Sequence, residues 1–136
     1  MKFHATVSTL ETIAAVHKMS IGTAVEFGEL VLLSGFVYMD PMSGTIPADT
    51  TFEESARGAL SLVQGVLSDL GLTLDHVVKV SSYLASGEDF PSWNAVFNDV
   101  FTIPRPLRTT IVAGLLGSAI EIEIIASRTT RAEASV

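Results

Sequence analysis

The chain has 136 residues, of which 48% are hydrophobic and 17% charged, and this composition predicts one globular domain over residues 1–136. No apolar stretch approaches the ~20 residues that span a bilayer, and a net charge of -7 with scattered lysines and arginines argues against nucleic acid as a partner. The absence of cysteine excludes disulfides and thiolate chemistry, and the three histidines lack the spacing of a metal site.

Residues 1–20 are expected to form a variable N-terminal segment. They contain no long apolar run followed by a small-residue cleavage site, so we expect no signal peptide and a cytoplasmic location.

Residues 23–38 contain two β-like runs separated by a tight turn, which predicts a β-hairpin. Turn-forming residues then accumulate over residues 40–47. Thr50 and Thr51 each precede a glutamate by three residues, which is the spacing of a capping box. Apolar residues follow at steps of three and four until Gly71. This pattern predicts a long amphipathic helix.

The second half of the chain alternates between strand and helix signals. Residues 77–84 are rich in β-branched side chains, and Asp89 can cap a second helix. Two further strands are predicted over residues 107–113 and 119–127, followed by a polar tail over residues 129–136. The buried stripe of the second helix is predicted to contain Phe90, Trp93, Phe97, Val100 and Phe101.

This order of elements predicts an α/β (α+β) fold with a single mixed sheet and two helices packed on one face. Residues 30–33 are apolar at successive positions, so the strand they form is apolar on both faces. The face without helices therefore needs a cover. A homo-oligomer supplies one, and a two-layer monomer with one short extra strand is the alternative.

Acidic residues alternate with isoleucine over residues 120–124, so Glu121 and Glu123 share the face that points away from the helices. Two interpretations are open. The glutamates can line a solvated strand, or they can serve as acid–base groups if that face is buried between subunits. Arg108, at the start of the preceding strand, favours the second interpretation because its guanidinium can bind a carboxylate through two parallel hydrogen bonds.

Six short motifs occur in order along most of the chain, and together they resemble the Rid (reactive intermediate deaminase, or YjgF) family. The resemblance implies a chorismate-mutase-like homotrimer with a central β core. It also implies clefts between subunits that hydrolyse a small carboxylated enamine or imine to a keto acid and ammonia without a cofactor. The motifs are Leu33-Ser34-Gly35, Asp40-Pro41-x-x-Gly44, Asp75-x-Val77-Val78-Lys79-Val80, Asn94-x-x-Phe97, Pro106-Leu107-Arg108-Thr109-Thr110 and Ile120-Glu121-Ile122-Glu123.

Matching by position assigns roles to individual residues. Arg108 matches the arginine that grips the substrate carboxylate, and Glu121 matches the glutamate that positions or activates water. The remaining matched pocket positions are Ser34, Gly35, Asn94 and Thr110.

The chain departs from the family pattern at three places. Ile21 lies where many members have a tyrosine, and Phe36 lies where a glutamine is usual. Residues 114–117, Gly-Leu-Leu-Gly, replace the familiar loop between Arg108 and Glu121. The substrate-binding pocket, Ile21 and Phe36 included, is therefore expected to be more apolar. Imines derived from Leu, Met or Phe, or a conjugated enamine acid, are expected to react better than those from Ala or Ser.

Other functions fit the same pattern. One alternative is another hydrolysis, or a tautomerisation, of a pathway intermediate in the same cleft. A second is a trimeric ligand-binding module in which Arg108 anchors a carboxylate without turnover. Ribonuclease activity is disfavoured because an acidic chain lacks attraction for phosphates.

Overall fold

The sheet of this protein is open and mixed, with six strands among residues 1–18 and 22–134, the part of the chain that the computed structural model describes. The spatial order of the strands is β1-β2-β3-β6-β4-β5, and of these pairings only β4 with β5 is parallel. The strands are β1 (Lys2–His4), β2 (Ala24–Phe27), β3 (Leu30–Leu33), β4 (Val77–Leu84), β5 (Leu107–Val112) and β6 (Ile120–Ser127).

In the described part of the chain, three helices, α1 (Glu11–His17), α2 (Phe52–Asp69) and α3 (Phe90–Val100), share one hydrophobic core with the sheet. The mixed α+β prediction is confirmed. The predicted capping box starts α2, where the Thr51 hydroxyl accepts from the Glu54 amide at 3.2 Å and the Glu54 carboxylate accepts from the Thr51 amide at 2.8 Å. These bonds satisfy two backbone donors that the helix start would leave free.

The prediction of two helices is wrong because the structure contains α1 in addition to α2 and α3. Both α1 and β1 lie in the N-terminal segment that was expected to be variable. With only seven residues, α1 is too short for helical periodicity to reveal, and tertiary contacts hold it in place. Asp69, at the end of α2, accepts from the Ser8 hydroxyl at 3.0 Å and the Thr9 hydroxyl at 2.7 Å. The Thr9 hydroxyl and amide hold the pKa of the Asp69 carboxyl below its usual range.

The face of the sheet opposite the helices, here called the open face, carries exposed apolar side chains. In β3, Val31 and Leu33 are buried against the helices, whereas Leu30 and Leu32 are 43% and 38% exposed on the open face. Phe27 on β2 and Leu107 on β5 are also exposed. The structure thus confirms that β3 is apolar on both sides. Among the described residues, no helix is long and apolar enough to cross a membrane.

Arg131 fastens the segment predicted as a polar tail to the body of the protein. Its side chain is buried, and its Nη1 donates to the carbonyls of Leu74 at 2.6 Å and Val77 at 2.9 Å. Nη2 donates to the Thr102 carbonyl at 3.2 Å, and Nε donates to the Pro104 carbonyl. A single guanidinium therefore satisfies the carbonyls that lead into β4 and β5.

Replacing Arg131 with methionine is expected to reduce the free energy of unfolding by about 3 kcal/mol, because the carbonyls it binds lose a charged donor. In a chain of this size the melting temperature should fall by about 10 °C, measurable by calorimetry. The control is Arg57→Met, which removes an exposed arginine that bridges Glu53 and Asp99 and should cost less than about 1 kcal/mol. Equal losses of unfolding free energy in the two variants would contradict the stabilising role of the Arg131 contacts.

Candidate functional site

Arg108 lies on the edge strand β5 with its side chain on the helix side of the sheet. Its backbone is in register with that of Val80, a fully buried residue of β4. The Nη2 group donates to the Asn94 side-chain oxygen at 3.1 Å. The guanidinium carbon lies 4.6 Å from the ring centroid of Phe97 and 5.5 Å from that of Phe90. Two aromatic rings and one amide therefore fix the orientation of the guanidinium.

The other terminal nitrogen of Arg108, Nη1, is buried and has no hydrogen-bond partner within residues 1–18 and 22–134. Burial also lowers the pKa of this guanidinium, since its desolvated charge is not offset by a carboxylate. Arg108 as a whole is half-buried, but its buried Nη1 is an unused donor, and a bound anion would satisfy that donor and offset the charge. The planar guanidinium suits a carboxylate in particular, because the two can form paired hydrogen bonds.

Thr110 lies two residues after Arg108 on β5 and belongs to a buried network of hydroxyl groups. The Ser82 hydroxyl lies 2.8 Å from the Thr110 hydroxyl and accepts from the Trp93 indole at 3.0 Å. Ser82 and Trp93 are almost fully buried, so the network fixes the rotamer of Thr110. Arg108, Asn94 and Thr110 thus form one group, here called the arginine cluster.

Glu121 projects from β6 on the open face, where it lies directly opposite Tyr83 of β4. The isoleucines on either side of it, Ile120 and Ile122, are fully buried on the helix face, as the alternation predicts. Glu121 lines an open pocket of about 320 Å³. The other lining residues are Gly35, Tyr83, Ala113, Gly114, Leu115 and Glu123.

Ser34 and Gly35 form a β-bulge beside this pocket. Leu32 pairs with Ile125 and Phe36 pairs with Ile122, so the chain leaving β3 contains one more residue than the facing part of β6. A Cβ atom at Gly35 would overlap the Glu121 carboxylate, so a larger residue there would displace this carboxylate from its present position. Gly35 and Glu121 form a second group, the glutamate cluster. The Ser34 hydroxyl donates to the Gly22 carbonyl at 2.6 Å, and Ser34 does not line the pocket of Glu121.

Phe36, predicted in the substrate-binding pocket, joins neither cluster. The side chain of Phe36 is buried in the core, because the bulge turns it toward the helices, and its backbone pairs with Ile122. It therefore borders a different cavity, and it does not line the pocket of Glu121. Ile21 lies outside the described residues.

The two clusters lie on opposite faces of the sheet within one chain. Arg108 contacts α3 on the helix side, whereas Glu121 lies on the open face, and β4 separates their strands. A small substrate cannot contact both residues through the sheet of a single chain. The arrangement can complete one site if the arginine cluster of one subunit meets the glutamate cluster of another.

The sequence analysis did not identify Tyr83 as a site residue, although it lies directly opposite Glu121. The strand pattern that places Tyr83 and Ser81 on the same face was visible in the sequence. Ser82 and Trp93 were also missed, because the bond between them depends on how α3 packs against β4. Within the described residues, no group of three or more His, Asp or Glu side chains gathers as metal ligands would.

Comparison with known proteins gives this geometry a context. The family model described as Endoribonuclease L-PSP matches residues 9–128, which is most of the chain. The chain belongs to this family, also called YjgF/Rid. A Rid-family relative, protein mmf1, mitochondrial, of Schizosaccharomyces pombe, is 30% identical over 131 residues, spanning 82% of this chain and 79% of its own.

A second relative carries the name of an activity. The Escherichia coli K12 protein named 2-iminobutanoate/2-iminopropanoate deaminase is 28% identical over 103 residues, covering 74% of this chain and 79% of its own. A solved structure from Thermotoga maritima has a TM-score of 0.83 at 27% identity, covering 95% of this chain and 99% of that chain. RidA from the Antarctic bacterium Psychrobacter sp. PAMC 21119 has a TM-score of 0.75 at 26% identity, covering 80% and 89%. These comparisons confirm the Rid-type fold.

Proposed function

We propose that this protein is a homotrimeric imine deaminase that hydrolyses small 2-imino acids to 2-oxo acids and ammonia in clefts between subunits. The observation that carries the proposal is the buried Nη1 of Arg108, which has no partner among the described residues and which a bound carboxylate would complete. Membership of the Rid family supports the reaction class, as does the E. coli relative named 2-iminobutanoate/2-iminopropanoate deaminase.

Arg108 binds the substrate carboxylate in this proposal. A bound carboxylate would accept from Nη1 and Nη2 together, while Asn94 and the Phe97 ring keep the guanidinium in place. Fixing the carboxylate orients the adjacent imine carbon for attack and reduces the entropy that the reaction must lose. The hydroxyl of Thr110, held by Ser82, lies on the same strand and face.

Glu121 acts as the general base on the opposite wall of the cleft. It removes a proton from water as the oxygen bonds to the imine carbon, and it returns this proton to the imine nitrogen as the carbon–nitrogen double bond becomes single. The hydroxyl proton of the resulting carbinolamine then passes to nitrogen as the carbon–nitrogen bond breaks, which releases ammonia and leaves the 2-oxo acid. Tyr83 lines the same pocket and supplies a hydroxyl to it, in a sequence that has Ile21 at the position where many family members have a tyrosine. No side-chain nucleophile or redox step is involved.

Assembly into a trimer brings the two clusters together. The open face presents Phe27, Leu30 and Leu32, which a neighbouring subunit would cover, and β5 offers Arg108 at the sheet edge. Each subunit would then donate its arginine cluster to one cleft and its glutamate cluster to the next.

Mixing two inactive variants tests this proposal. The wild-type protein should hydrolyse imines released by an amino-acid oxidase, whereas Arg108→Ala and Glu121→Gln alone should each be slower by about 100-fold or more. Subunits of the two variants, refolded together at equal amounts, should recover about a quarter of wild-type activity, because about one interface in four joins an intact Arg108 to an intact Glu121. Light scattering should give the mass of three chains.

The control for the mixing experiment is the doubly substituted chain refolded with wild type, which cannot create additional intact interfaces. If the mixture of single variants stays inactive although both form trimers, the shared cleft is wrong. A monomer mass at micromolar concentration would contradict the assembly itself.

The endoribonuclease description of the family is not proposed for this chain. Its net charge of -7 repels a phosphodiester backbone, and the exposed Arg57 already pairs with two carboxylates.

A further inference from the structure

The pocket of Glu121 contains a phenol hydroxyl that the proposed reaction leaves without a role. Among the described residues that line this pocket, Tyr83, Glu121 and Glu123 have polar side chains, and the others are glycine, alanine or leucine. Ionised carboxylates only accept hydrogen bonds, whereas a phenol both donates and accepts them. Tyr83 is therefore the side-chain donor of this pocket when both glutamates are ionised.

Tyr83 and Glu121 stand on opposite sides of the pocket. They are paired directly across β4 and β6, where the Cβ atoms of facing residues lie about 5 Å apart. The Glu121 carboxylate leans over Gly35, which follows β3, so it is turned away from β4 and from the Tyr83 ring. Both side chains are half-buried. A small molecule in the pocket therefore has a carboxylate on one side and a phenol on the other.

The protein itself engages neither of these two groups. The Tyr83 hydroxyl and the Glu121 carboxylate have no hydrogen-bond partner within residues 1–18 and 22–134. On its other side, Tyr83 is in register with Ile111 of β5, whose side chain has no polar atom. The phenol can therefore form hydrogen bonds with a molecule in the pocket without breaking one within the subunit.

The last step of the proposed reaction needs a group of this kind. In the carbinolamine, the hydroxyl and the amino nitrogen are bonded to the same carbon, so a direct O–H···N approach is bent well below the angle of about 120° under which hydrogen bonds weaken steeply. A second hydroxyl that bridges the two atoms removes this restriction, because it accepts one proton while it donates another.

We propose, on the basis of the imine deaminase function, that Tyr83 is a second catalytic residue, which transfers the proton that releases ammonia. The phenol oxygen accepts the hydroxyl proton of the carbinolamine while the phenol gives its own proton to the amino nitrogen. The carbon–oxygen bond becomes double as the carbon–nitrogen bond breaks, and the electron pair of the broken bond leaves with ammonia. Tyr83 ends as a neutral phenol. Glu121 thus promotes the addition of water, and Tyr83 promotes the loss of ammonia.

The test replaces Tyr83 with phenylalanine, which removes the hydroxyl and keeps the ring. For the alanine imine, released by an amino-acid oxidase, kcat should fall by about 100-fold, the scale of a positioned acid–base group. The affinity for pyruvate, measured by calorimetry, should stay near that of wild type because Arg108 still binds the carboxylate. Added imidazole should restore part of the rate of Tyr83→Phe, after subtraction of the enzyme-free reaction, because imidazole can transfer a proton in place of the phenol.

Tyr38→Phe is the matched control. Tyr38 is the other of the two tyrosines in the chain, and its ring packs against Gly58 of α2, outside the pocket of Glu121. This variant should keep the wild-type kcat, and imidazole should accelerate neither it nor the wild type. If a thermal melt shows that Tyr83→Phe does not fold, Tyr83→Leu removes the same hydroxyl and carries the same expectation.

The outcomes separate the role of Tyr83 from the deaminase function. If the wild type hydrolyses the imine and Tyr83→Phe does so at the same rate, the role of Tyr83 is overturned and the function stands. A slow Tyr83→Phe that imidazole does not accelerate also overturns this role, since the hydroxyl then supports only the structure of the pocket. A wild type that hydrolyses no imine overturns both.

Discussion

Replacing Arg108 with alanine is expected to lower kcat/KM for imine hydrolysis by at least about 100-fold, because the substrate carboxylate loses a bidentate, charge-assisted anchor. The same change should raise the dissociation constant of 2-oxo acid products, measured by calorimetry. Stability should be unchanged or slightly higher, since the variant removes a half-buried cation whose buried Nη1 has no partner within residues 1–18 and 22–134. A thermal melt checks this part.

Two further variants define the role of Arg108. Arg108→Lys keeps the charge but loses the planar fork, so it should remain well below wild type in ligand affinity. Arg105→Ala removes an exposed arginine in the connection before β5, whose Nη2 donates to the Asn98 carbonyl at 3.1 Å, and should change affinity little. Wild-type ligand affinity in Arg108→Ala would refute the anchor.

Replacing Glu121 with glutamine is expected to slow imine hydrolysis by about 100-fold or more while leaving ligand affinity near that of wild type. The amide is nearly isosteric with the carboxylate, so the contact with Gly35 is preserved, but it cannot accept a proton from water. Rapid measurement of imine decay at saturating substrate gives kcat, and calorimetry with a 2-oxo acid gives the affinity.

Glu123→Gln is the matched control because Glu123 occupies the same strand, face and pocket as Glu121. It is more exposed than Glu121. The three atoms that lie nearest to a Cβ placed at Gly35 all belong to Glu121 and none to Glu123. A larger rate loss in Glu123→Gln than in Glu121→Gln would transfer the role of base to Glu123. Equal, wild-type rates in both variants would leave the pocket without a base.

Local signals predict most of the fold correctly. The capping box at Thr51, the apolar periodicity of α2 and the isoleucine alternation of β6 act over a few residues, so they can be read without knowledge of topology. The structure differs from the prediction where contacts between residues far apart in the chain determine the local conformation. The α1 helix depends on Asp69, and Arg131 depends on carbonyls from two distant segments. Neither Asp69 as the partner of the α1 segment nor the carbonyls as the partners of Arg131 can be inferred from the sequence next to the residues they bind.

The second predicted helix shows a smaller difference of the same kind. Asp89 occupies the position before α3, but its side chain makes no capping hydrogen bond within the described residues, because residues 87–89 form a 3₁₀ turn that continues into the helix. Phe90 was expected in the buried stripe, yet it is 43% exposed and lies over Arg108. The deviation thus occurs beside the candidate site.

For the site, the sequence indicates which residues are candidates but not how they are arranged. Arg108 and Glu121 are matched by position, and the alternation of β6 correctly places Glu121 away from the helices. That Arg108 points to the opposite face could not be predicted, because it follows from the parallel pairing of β5 with β4. The bulge that aims Gly35 at Glu121 also requires the register between β3 and β6.

The position of β6 constrains how this domain folds during synthesis. It is the last strand in the chain order, yet it lies in the middle of the sheet, between β3 and β4. Until residues 120–127 have been made, the hairpin half and the β4–β5 half lack the strand that joins them. Local pairing therefore cannot complete the domain from its N-terminus onward. A nascent chain that stalls before residue 120 would expose the edges of both halves, which makes it a target for chaperones or proteolysis.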